Sequence, residues 1–533
     1  MACFFACIAV FLTILYLIWK RTIKNFKYFE ENQIPHLPGY PIFGSSWKEV
    51  FTRKAFPEVL QSYMQKFPSH RFFGIYSMGG NKTFVLQDPE LINELCVRNF
   101  DNFVNHPQFF TSTHDELLNS SLTILRDQKW RDMRTTLSPA FTGSKMRMMF
   151  DLVRECAEDF VTYCKENVNK DTKTMEIDTK DIFSKVAINV ISSTAFGLKV
   201  DSVREPENIV TFHTKRAFDG SSFTAILRLM TIMTLPKVAD FFKISFTPKT
   251  SQDFFRDLVK DTIDHRRQTK ETRKDVIQLL IQAQDGTLKY SEDENNEKSF
   301  AVVEESEIGR RNISTKQWSD TDIAAQCFLF FVAGFDTTSS LLTFLTYELA
   351  LNEDYQEKLF QEVQKTKCSL RNGSITYDAL QQMEYLDAFV SEVLRFHPPS
   401  VLTDRVCNQD TLIFDHNDRQ YTIPKGAHIW MNIYGIHHSH KYFANPTRFD
   451  PERFLGVNKK KIVSGSFMPF GVGPRACIGT RFALMEAKLV IYTLLSEFKF
   501  KICDKTLVPM QYGDGFSLTP KVPLIVELEK RVK

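Results

Sequence analysis

The stretch Phe470-Gly471-Val472-Gly473-Pro474-Arg475-Ala476-Cys477-Ile478-Gly479 decides the fold. It places one cysteine in a glycine- and proline-rich turn, directly before an apolar run, Arg481 to Leu495, that is predicted to be helical. A helix N-terminus and a nearby cation such as Arg475 both favour a thiolate over a thiol. Glycines have no side chain, so a flat and bulky group can approach the backbone there. An anionic sulfur beside a flat clearing suits a haem iron.

The whole stretch resembles the cysteine-ligand loop of the cytochromes P-450, the haem-thiolate monooxygenases. The alternative is a buried free cysteine in a tight turn, which is the commoner fate of a single cysteine. The resemblance implies that Cys477 ligates the iron of haem b, that Phe470 lies beside the cofactor and that Arg475 neutralises a haem propionate. It extends over nearly the whole chain, which looks most like the insect family-nine group.

The composition is that of a globular protein, with 533 residues of which 43% are hydrophobic and 25% charged. The net charge of +3 is too small to indicate a nucleic-acid partner. The ten cysteines show neither CxxC nor zinc-ligand spacing, so we expect them to be reduced. No flexible linker divides residues 46–533, and helical patterns dominate after one predicted hairpin, Arg71 to Leu86. We therefore predict one large domain, mainly α with a small β region, as the resemblance also implies.

The N-terminal segment, residues 2–19, is almost wholly apolar and is followed by Lys20 and Arg21. About 20 such residues span a bilayer. A cleaved signal peptide would have a basic start and a small-residue cleavage site, and this segment has neither. We expect a transmembrane anchor, with the remaining chain in the cytosol because the positive flank follows it. Residues 34–45 are rich in proline and predict a stiff hinge. The resemblance to microsomal members implies the endoplasmic reticulum membrane.

The second chemical element is an apolar run, Asp322 to Leu349, which predicts one long buried helix. It contains Ala333-Gly334-Phe335-Asp336-Thr337-Thr338, where a glycine, a carboxylate and two hydroxyls cost stability. A kinked core helix is the alternative. The resemblance implies that Ala333 and Gly334 line the distal face of the haem. It also implies that Thr337 hydrogen-bonds the bound dioxygen and that Asp336 helps to relay protons.

Six further charged or aromatic positions acquire a role from the resemblance. Trp130 and Arg134 are four apart and share a helix face, and in the family this pair binds a haem propionate. Arg405 falls where the family places another propionate ligand. Glu392 and Arg395, three apart, match a pair that forms a buried ion network with Arg453.

The substrate pocket is predicted from the long helix and from two later segments. Val332, Ala333 and Thr337 are expected on one helix side. Val401 and Leu402 are expected to approach from the flank, and Phe516 to close the top. The run Phe212 to Ile244 predicts either a lid dipping towards the membrane or ordinary core helices. The polar stretch Asp285 to Asp320 predicts a partly disordered surface loop.

Electrons must come from a partner, because no GxGxxG follows a strand to bind a flavin or nicotinamide. The resemblance implies an NADPH-dependent reductase and optionally cytochrome b5. A basic docking patch or ordinary solvated charges are equally compatible with Lys129, Arg131, Lys459, Lys460 and Lys461.

The resemblance implies a monooxygenase that oxidises lipophilic small molecules, broadly foreign compounds. An endogenous fatty acid, terpenoid or hormone remains an alternative substrate. A haem-thiolate isomerase or dehydratase and a non-catalytic haem carrier are the other two classes. The Asp336-Thr337 pair argues against the isomerase, which needs no proton relay for dioxygen.

Overall fold

The computed structural model describes residues 26–40, 44–45, 54–77, 80–108, 114–217, 223–234, 236–288, 299–310, 318–370, 373–513, 515 and 517–531. The predicted anchor and Phe516 lie outside these residues, as does part of the predicted hinge, residues 41–43. The described chain is mainly helical with small sheets, in agreement with the predicted fold class.

Twenty α-helices occur within the described residues, numbered here in chain order. They are α1 (Tyr28–Glu31), α2 (Phe56–Lys66), α3 (Pro89–Asn93), α4 (Glu116–Asn119), α5 (Asp127–Leu137), α6 (Gly143–Asn167), α7 (Thr179–Ile191), α8 (Ile209–Ala217), α9 (Phe223–Thr234), α10 (Pro236–Phe241), α11 (Lys249–Thr269), α12 (Val276–Gln284), α13 (Glu307–Arg310), α14 (Asp320–Leu351), α15 (Glu353–Ser369), α16 (Tyr377–Gln381), α17 (Glu384–Phe396), α18 (Ile433–His437), α19 (Gly456–Lys459) and α20 (Thr480–Leu495).

Nine strands are described. They are β1 (Phe72–Tyr76), β2 (Lys82–Leu86), β3 (Thr174–Asp178), β4 (Thr403–Val406), β5 (Thr411–Phe414), β6 (Gln420–Ile423), β7 (His428–Met431), β8 (Phe498–Lys501) and β9 (Ile525–Lys530). They pair in the orders β1-β2-β7-β4, β3-β9-β8 and β5-β6. The predicted hairpin is confirmed: β1 and β2 are antiparallel, with Phe72 opposite Leu86.

The long helix α14 is confirmed and is one turn or less longer than predicted at each end. A capping box starts it: the Ser319 hydroxyl accepts from the Asp322 amide while the Asp322 carboxylate accepts from the Ser319 amide. It is the one helix in the described part of the chain that is long and apolar enough to cross a membrane. Because 67% of its apolar window is buried in the protein, it serves as a core helix.

A phenylalanine cluster holds α14 against α11. The Phe255 ring on α11 lies 5.4 Å from Phe328 and 5.2 Å from Phe331, both on α14. Phe196 completes the cluster at 5.4 Å from Phe331. Tilted and edge-on rings at these distances attract beyond their buried area. The abundance of phenylalanine therefore serves core packing around the central helix.

The predicted ion network is present at the end of α17. The Arg395 guanidinium donates to both Glu392 oxygens, at 2.7 and 2.8 Å, and both side chains are fully buried. Arg453 Nε donates to the same carboxylate at 3.3 Å. Arg395 also donates to the carbonyls of His437 and Pro446. Two guanidinium cations thus compensate one buried carboxylate, and the two carbonyls accept from a remaining donor nitrogen of Arg395.

The polar stretch that was predicted as a partly disordered loop differs from the prediction in its middle. Residues 299–310 pack against the protein, with Ala301 and Ile308 buried. The apolar residues among the charges explain this packing, because Ala301 and Ile308 join the main hydrophobic core. Residues 289–298 and 311–317 of the stretch lie outside the described residues.

Candidate haem site

The cysteine turn is rigid because its backbone closes on itself. The Cys477 amide donates to the Phe470 carbonyl at 2.9 Å, across a short 3-10 turn, Gly473–Arg475. Gly473 has φ +69°, and a Cβ there would lie 2.3 Å from the Cys96 carbonyl oxygen. Only glycine fits both the left-handed conformation and the close approach. The predicted glycine-rich turn therefore exists, and it ends directly at the N-terminus of α20.

A cavity separates the cysteine turn from α14. About 950 Å³ of space free of atoms, part of it open to solvent, lies between Cys477 and the helix face formed by Ala333, Gly334 and Thr337. The side chains of Cys477, Ala333 and Thr337 are exposed because they face this space, although most of their neighbours on the same elements are buried. The structure thus brings together the two chemical elements that the sequence singled out, on opposite walls of one cavity.

Several wall residues escaped sequence reasoning. Phe330 precedes Ala333 by three and Thr337 by seven, so helical periodicity alone indicates that it shares their face. Leu329 and Thr338 lie on the same helix, and Ala476, Ile478, Phe482 and Ala483 lie next to Cys477 or in the helix that follows it. The remaining wall residues come from distant segments without a local signal: His106, Leu122, Thr123, Phe141 and Ile191. Most are apolar, so the cavity suits an apolar ligand.

Three arginines lie near the cysteine side of the cavity: Arg134 and the partly buried Arg475 line it, and the buried Arg405 lies behind its wall. Burial, together with the like charges of Arg405 and Arg134, lowers the pKa of Arg475 to about 8. Burial likewise lowers the pKa of Arg405, which is 1% exposed and whose Nε has no hydrogen-bond partner among the described residues. Clustered buried cations require anions nearby. The cluster therefore marks a place for a ligand that carries carboxylates.

Trp130 contacts Arg475 and also lines the cavity. The Arg475 guanidinium lies 4.1 Å from the centre of the Trp130 ring, a cation–π contact. Its nitrogens donate to the carbonyls of Val104 and Leu125, at 2.8 and 2.7 Å. Trp130 is itself 1% exposed and lines the cavity. Trp130 and Arg134, the predicted pair on α5, thus both lie close to Arg475.

Arg134 already has a carboxylate partner in the protein. Its Nε and Nη2 donate to the two oxygens of Glu305, at 3.2 and 2.8 Å, and its Nη1 donates to the Ala476 carbonyl at 3.0 Å. Sequence reasoning missed Glu305, because the two residues are 171 positions apart and Glu305 stands in a polar stretch. Arg134 thus joins this stretch to the residue preceding Cys477.

Asp336 turns away from the cavity and binds a cation on α7. Lys180 Nζ lies 2.9 Å from its carboxylate oxygen and 3.0 Å from its backbone carbonyl. The same ammonium donates to the hydroxyls of Ser339 and Ser340, each at 2.8 Å. Thr337, the next residue, faces the cavity and donates to the Ala333 carbonyl at 2.7 Å. The predicted acid and hydroxyl are therefore adjacent in sequence but point in different directions.

Comparison with known proteins identifies the family. Residues 35–527 match the family model described as Cytochrome P450. The chain belongs to the cytochrome P450 family. It is 36% identical to the probable cytochrome P450 9f2 of Drosophila melanogaster over 99% of both chains. It is also 36% identical to cytochrome P450 9e2 of Blattella germanica, over 95% of this chain and 94% of that one. Members of this family are monooxygenases, and the predicted family and enzyme class are confirmed.

The residues of this P450 fit the haem that its family implies. The described residues contain no group of three or more His, Cys, Asp or Glu side chains placed to hold a bare metal ion. A metal bound by Cys477 alone must bring its other ligands with it, as a porphyrin does. Neither Arg405 nor Arg475 forms an ion pair with a carboxylate of the described residues, although both donate to backbone carbonyls, so a haem propionate would supply a counter-charge for this group of cations.

The thiolate of this P450 is not stabilised by the chain alone. Burial raises the pKa of the Cys477 thiol, while the Gly479 amide, Arg134 and the Thr480 hydroxyl act in the opposite direction. The cation near the sulfur is thus Arg134, rather than Arg475 as the spacing suggested. A coordinating metal deprotonates a thiol outright. A thiolate at Cys477 would therefore depend on a metal that the sulfur coordinates.

Some predicted site residues lie away from the cavity that the described residues of this P450 enclose. Val332 is 4% exposed and packs into the core, one position away from the lining face. Val401 is fully buried, and its carbonyl accepts from the Tyr434 amide at 2.9 Å. Leu402, Phe470 and Arg405 are likewise outside the wall. Phe516 lies outside the described residues.

Proposed function

We propose that this P450 hydroxylates lipophilic foreign compounds at the endoplasmic reticulum membrane, using electrons from an NADPH-dependent reductase. One observation carries the proposal: an apolar cavity lies between Cys477 and the Ala333–Thr337 face of α14. When bound, the haem with its thiolate ligand supplies dioxygen cleavage and oxygen transfer to the substrate. The chain supplies orientation, exclusion of water and protons.

The residues that line the cavity have different tasks in the proposed reaction. Phe141, Ile191 and Phe330 hold the substrate by apolar burial, at about 25 cal/mol per Å². Ala333 and Gly334 keep the space above the iron clear because they are small. The Thr337 hydroxyl offers a hydrogen bond where dioxygen would sit. Asp336, bound to Lys180 on the far side of α14, is the proposed source of protons.

The electron donor would dock on the side of Cys477 that faces away from the substrate cavity. Lys129, Arg131, Lys459, Lys460 and Lys461 form the proposed basic patch, which suits a donor with an acidic surface. Cytochrome b5 is a second proposed donor. The proposed anchor, residues 2–19, and the hinge, residues 34–45, would hold this P450 on the same membrane as its reductase.

The assignment of the ligand is tested by Cys477→Ser. A serine hydroxyl is a far weaker donor to iron than a thiolate, so the variant loses the strongly red-shifted Soret band of the reduced, carbon-monoxide-bound haem. The spectrum and the haem content are measured together on the wild type and the variant. Retention of that band in Cys477→Ser would show that another residue ligates the iron.

The substrate class is tested by a panel of apolar compounds, scored by the spin-state change each causes on binding. The proposal expects several chemically unrelated lipophilic compounds to bind and be hydroxylated. Binding of one fatty acid, terpenoid or hormone alone would favour the endogenous role. Turnover of a lipid hydroperoxide without NADPH, and of nothing else, would favour an isomerase.

A further inference from the structure

A segment of this chain crosses the surface beside the cysteine turn. Residues 299–308, here called the strap, begin at Asp387 on α17. The Ser299 hydroxyl and the Phe300 amide donate to the two oxygens of the Asp387 carboxylate. Asp387 is held in turn by the fully buried Lys488, with Nζ 2.7 Å from its carboxylate. The first end of the strap is therefore fixed to the core.

The strap continues over the chain that leads into the cysteine turn. The Phe300 ring lies 5.4 Å from both Phe454 and Phe467, so it is inserted between two aromatic side chains. Lys459 Nζ lies 4.9 Å from the centre of the same ring. Phe467 precedes Phe470 of the turn by three residues. The strap thus contacts the half of the proposed basic patch that contains Lys459.

The far end of the strap is held by Arg134 on α5. The Glu305–Arg134 pair is bidentate, and the two side chains are only 10% and 6% exposed. Next to it, the Thr135 hydroxyl donates to the Ile308 carbonyl at 2.9 Å, and the Ile308 side chain is buried. Helix α5 also carries Lys129 and Arg131, the other half of the patch. The strap therefore lies between the two halves.

The charges of the strap match those expected of a docked partner. Glu304 and Glu307 are exposed on it, and Glu305 occupies Arg134. A carboxylate-bearing segment that lies across a basic surface makes the contacts that an acidic partner would make. A partner with an acidic surface would compete with the strap for these contacts.

We propose that the strap is a self-inhibitory cover of the electron-donor surface, latched by Glu305 on Arg134 and displaced when an acidic flavoprotein donor docks. This inference rests on the proposed donor. When the latch opens, Arg134 keeps the Ala476 carbonyl as an acceptor and borders the cavity, where a haem propionate would compensate its charge. In each productive encounter the reduced flavin of the donor would give one electron to the haem that Cys477 would hold, and no covalent bond in this chain forms or breaks.

The test compares Glu305→Gln with Glu307→Gln in the full-length holoenzyme. Both remove one negative charge from the strap, but only the first opens the latch. We expect Glu305→Gln to lower the KM for the NADPH-dependent flavoprotein about tenfold and Glu307→Gln to lower it less than about twofold. Amide hydrogen exchange in residues 299–308 should accelerate in Glu305→Gln alone. Peroxide-supported turnover, which needs no donor, should be equal in all three proteins.

A second variant opens the strap at its other end. Phe300→Ala removes the ring between Phe454 and Phe467, and it should lower the KM for the donor in the same direction without touching Arg134. An unchanged or raised KM in both Glu305→Gln and Phe300→Ala would show that the strap builds the docking surface. Loss of haem or of peroxide-supported turnover in Glu305→Gln alone would assign Glu305 to the haem site and overturn the latch.

The proposed donor can fail separately from the strap. Peroxide-supported turnover without reduction by the flavoprotein, in the wild type and in Glu305→Gln alike, would refute the donor and this inference with it. Reduction of Glu305→Gln but not of the wild type would support the latch directly.

Discussion

Thr337 and Ala333 form one hydrogen-bonded unit on the wall opposite Cys477. The Thr337 hydroxyl donates to the Ala333 carbonyl, a back-bond that is common for threonine inside helices. It remains able to accept a hydrogen bond from the cavity and to rotate into it. Thr343 and Thr346 on the same helix make equivalent back-bonds in the core. What distinguishes Thr337 is therefore its position on the cavity wall and not its residue type.

We predict that Thr337→Ala uncouples NADPH consumption from product formation. The variant lacks the hydroxyl proposed to hold dioxygen in place, so hydrogen peroxide is released while NADPH is still oxidised. The measurement is product and peroxide formed per NADPH. Thr343→Ala removes the same back-bond away from the cavity and should stay coupled, and equal coupling in both variants would remove Thr337 from the mechanism.

We predict that Ala333→Phe blocks turnover while leaving haem content intact. Ala333 faces the cavity, so a phenylalanine ring there would project into the space where the haem and substrate would lie, rather than into the core. Haem content and turnover are measured together with several lipophilic substrates. Ala333→Ser, which adds one oxygen only, is the size control. Full turnover of every substrate by Ala333→Phe would show that this face does not border the reacting atoms.

At the scale of elements, burial at the end of α18 keeps two histidines, His437 and His438, neutral. His438, directly after α18, stacks on Tyr434 with ring centres 4.0 Å apart, and its Nδ1 lies 2.9 Å from the Tyr434 carbonyl. Burial first, and then the nearby Arg395, lower the pKa of His438 to about 3. Arg395 and His397 are the charged or titratable groups that act on it from neighbouring elements. Burial first, and then His438 and Arg395, lower the pKa of His437 as well.

These depressed pKa values predict acid instability with a definite sign. Below pH 6.5, the ordinary pKa of histidine, His438 binds a proton in the unfolded chain, whereas in the folded chain it stays neutral until about pH 3. The unfolded state therefore binds more protons than the folded state in this range, and the free energy of unfolding falls as the pH falls. The slope is about 1.4 kcal/mol per pH unit for each such histidine. Denaturant unfolding between pH 7 and 5 measures it. His438→Phe should flatten the slope and the exposed His440→Gln should not; an equal slope in all three would contradict the assignment.

At the scale of the whole molecule, exposed apolar side chains concentrate on three consecutive helices. Phe241 and Phe242, at the end of α10, are 80% and 67% exposed and lie 5.1 Å apart. Phe212 on α8 and Leu227 on α9 are also exposed. The described part of the run that was predicted as a lid or as core helices, residues 212–217, 223–234 and 236–244, is thus mostly helical and carries several exposed apolar side chains. Apolar side chains grouped in this way bind readily to a lipid surface.

We predict that deletion of residues 2–19 releases this P450 only partly from membranes, because the α8–α10 surface continues to bind lipid. Flotation with lipid vesicles measures the bound fraction. In the truncated protein, Phe241→Ser with Phe242→Ser should weaken binding, whereas Val457→Ser, at a residue that is 72% exposed elsewhere, should not. A truncated protein that stays wholly in solution without detergent would contradict this prediction.

The sequence by itself determined the elements and the two chemical motifs. The cysteine turn, the hairpin of β1 and β2 and the long helix α14 depend on turn residues and apolar periodicity within a few positions. The Glu392–Arg395 pair is local as well, since three residues separate its members on one helix face. For the same reason, Phe330 was within reach of sequence reasoning. These features need no knowledge of distant segments.

Only the tertiary structure decided which distant residues meet. Glu305 and Arg134 are 171 positions apart, and Lys180 and Asp336 are 156 apart. A polar residue in a charged stretch has many candidate partners of opposite sign, and packing selects one of them. The same packing turned Val332 and Val401 into the core and opened Ala333 and Thr337 to the cavity. Local signals specify what a segment becomes, whereas the burial of one segment against another specifies what its side chains touch.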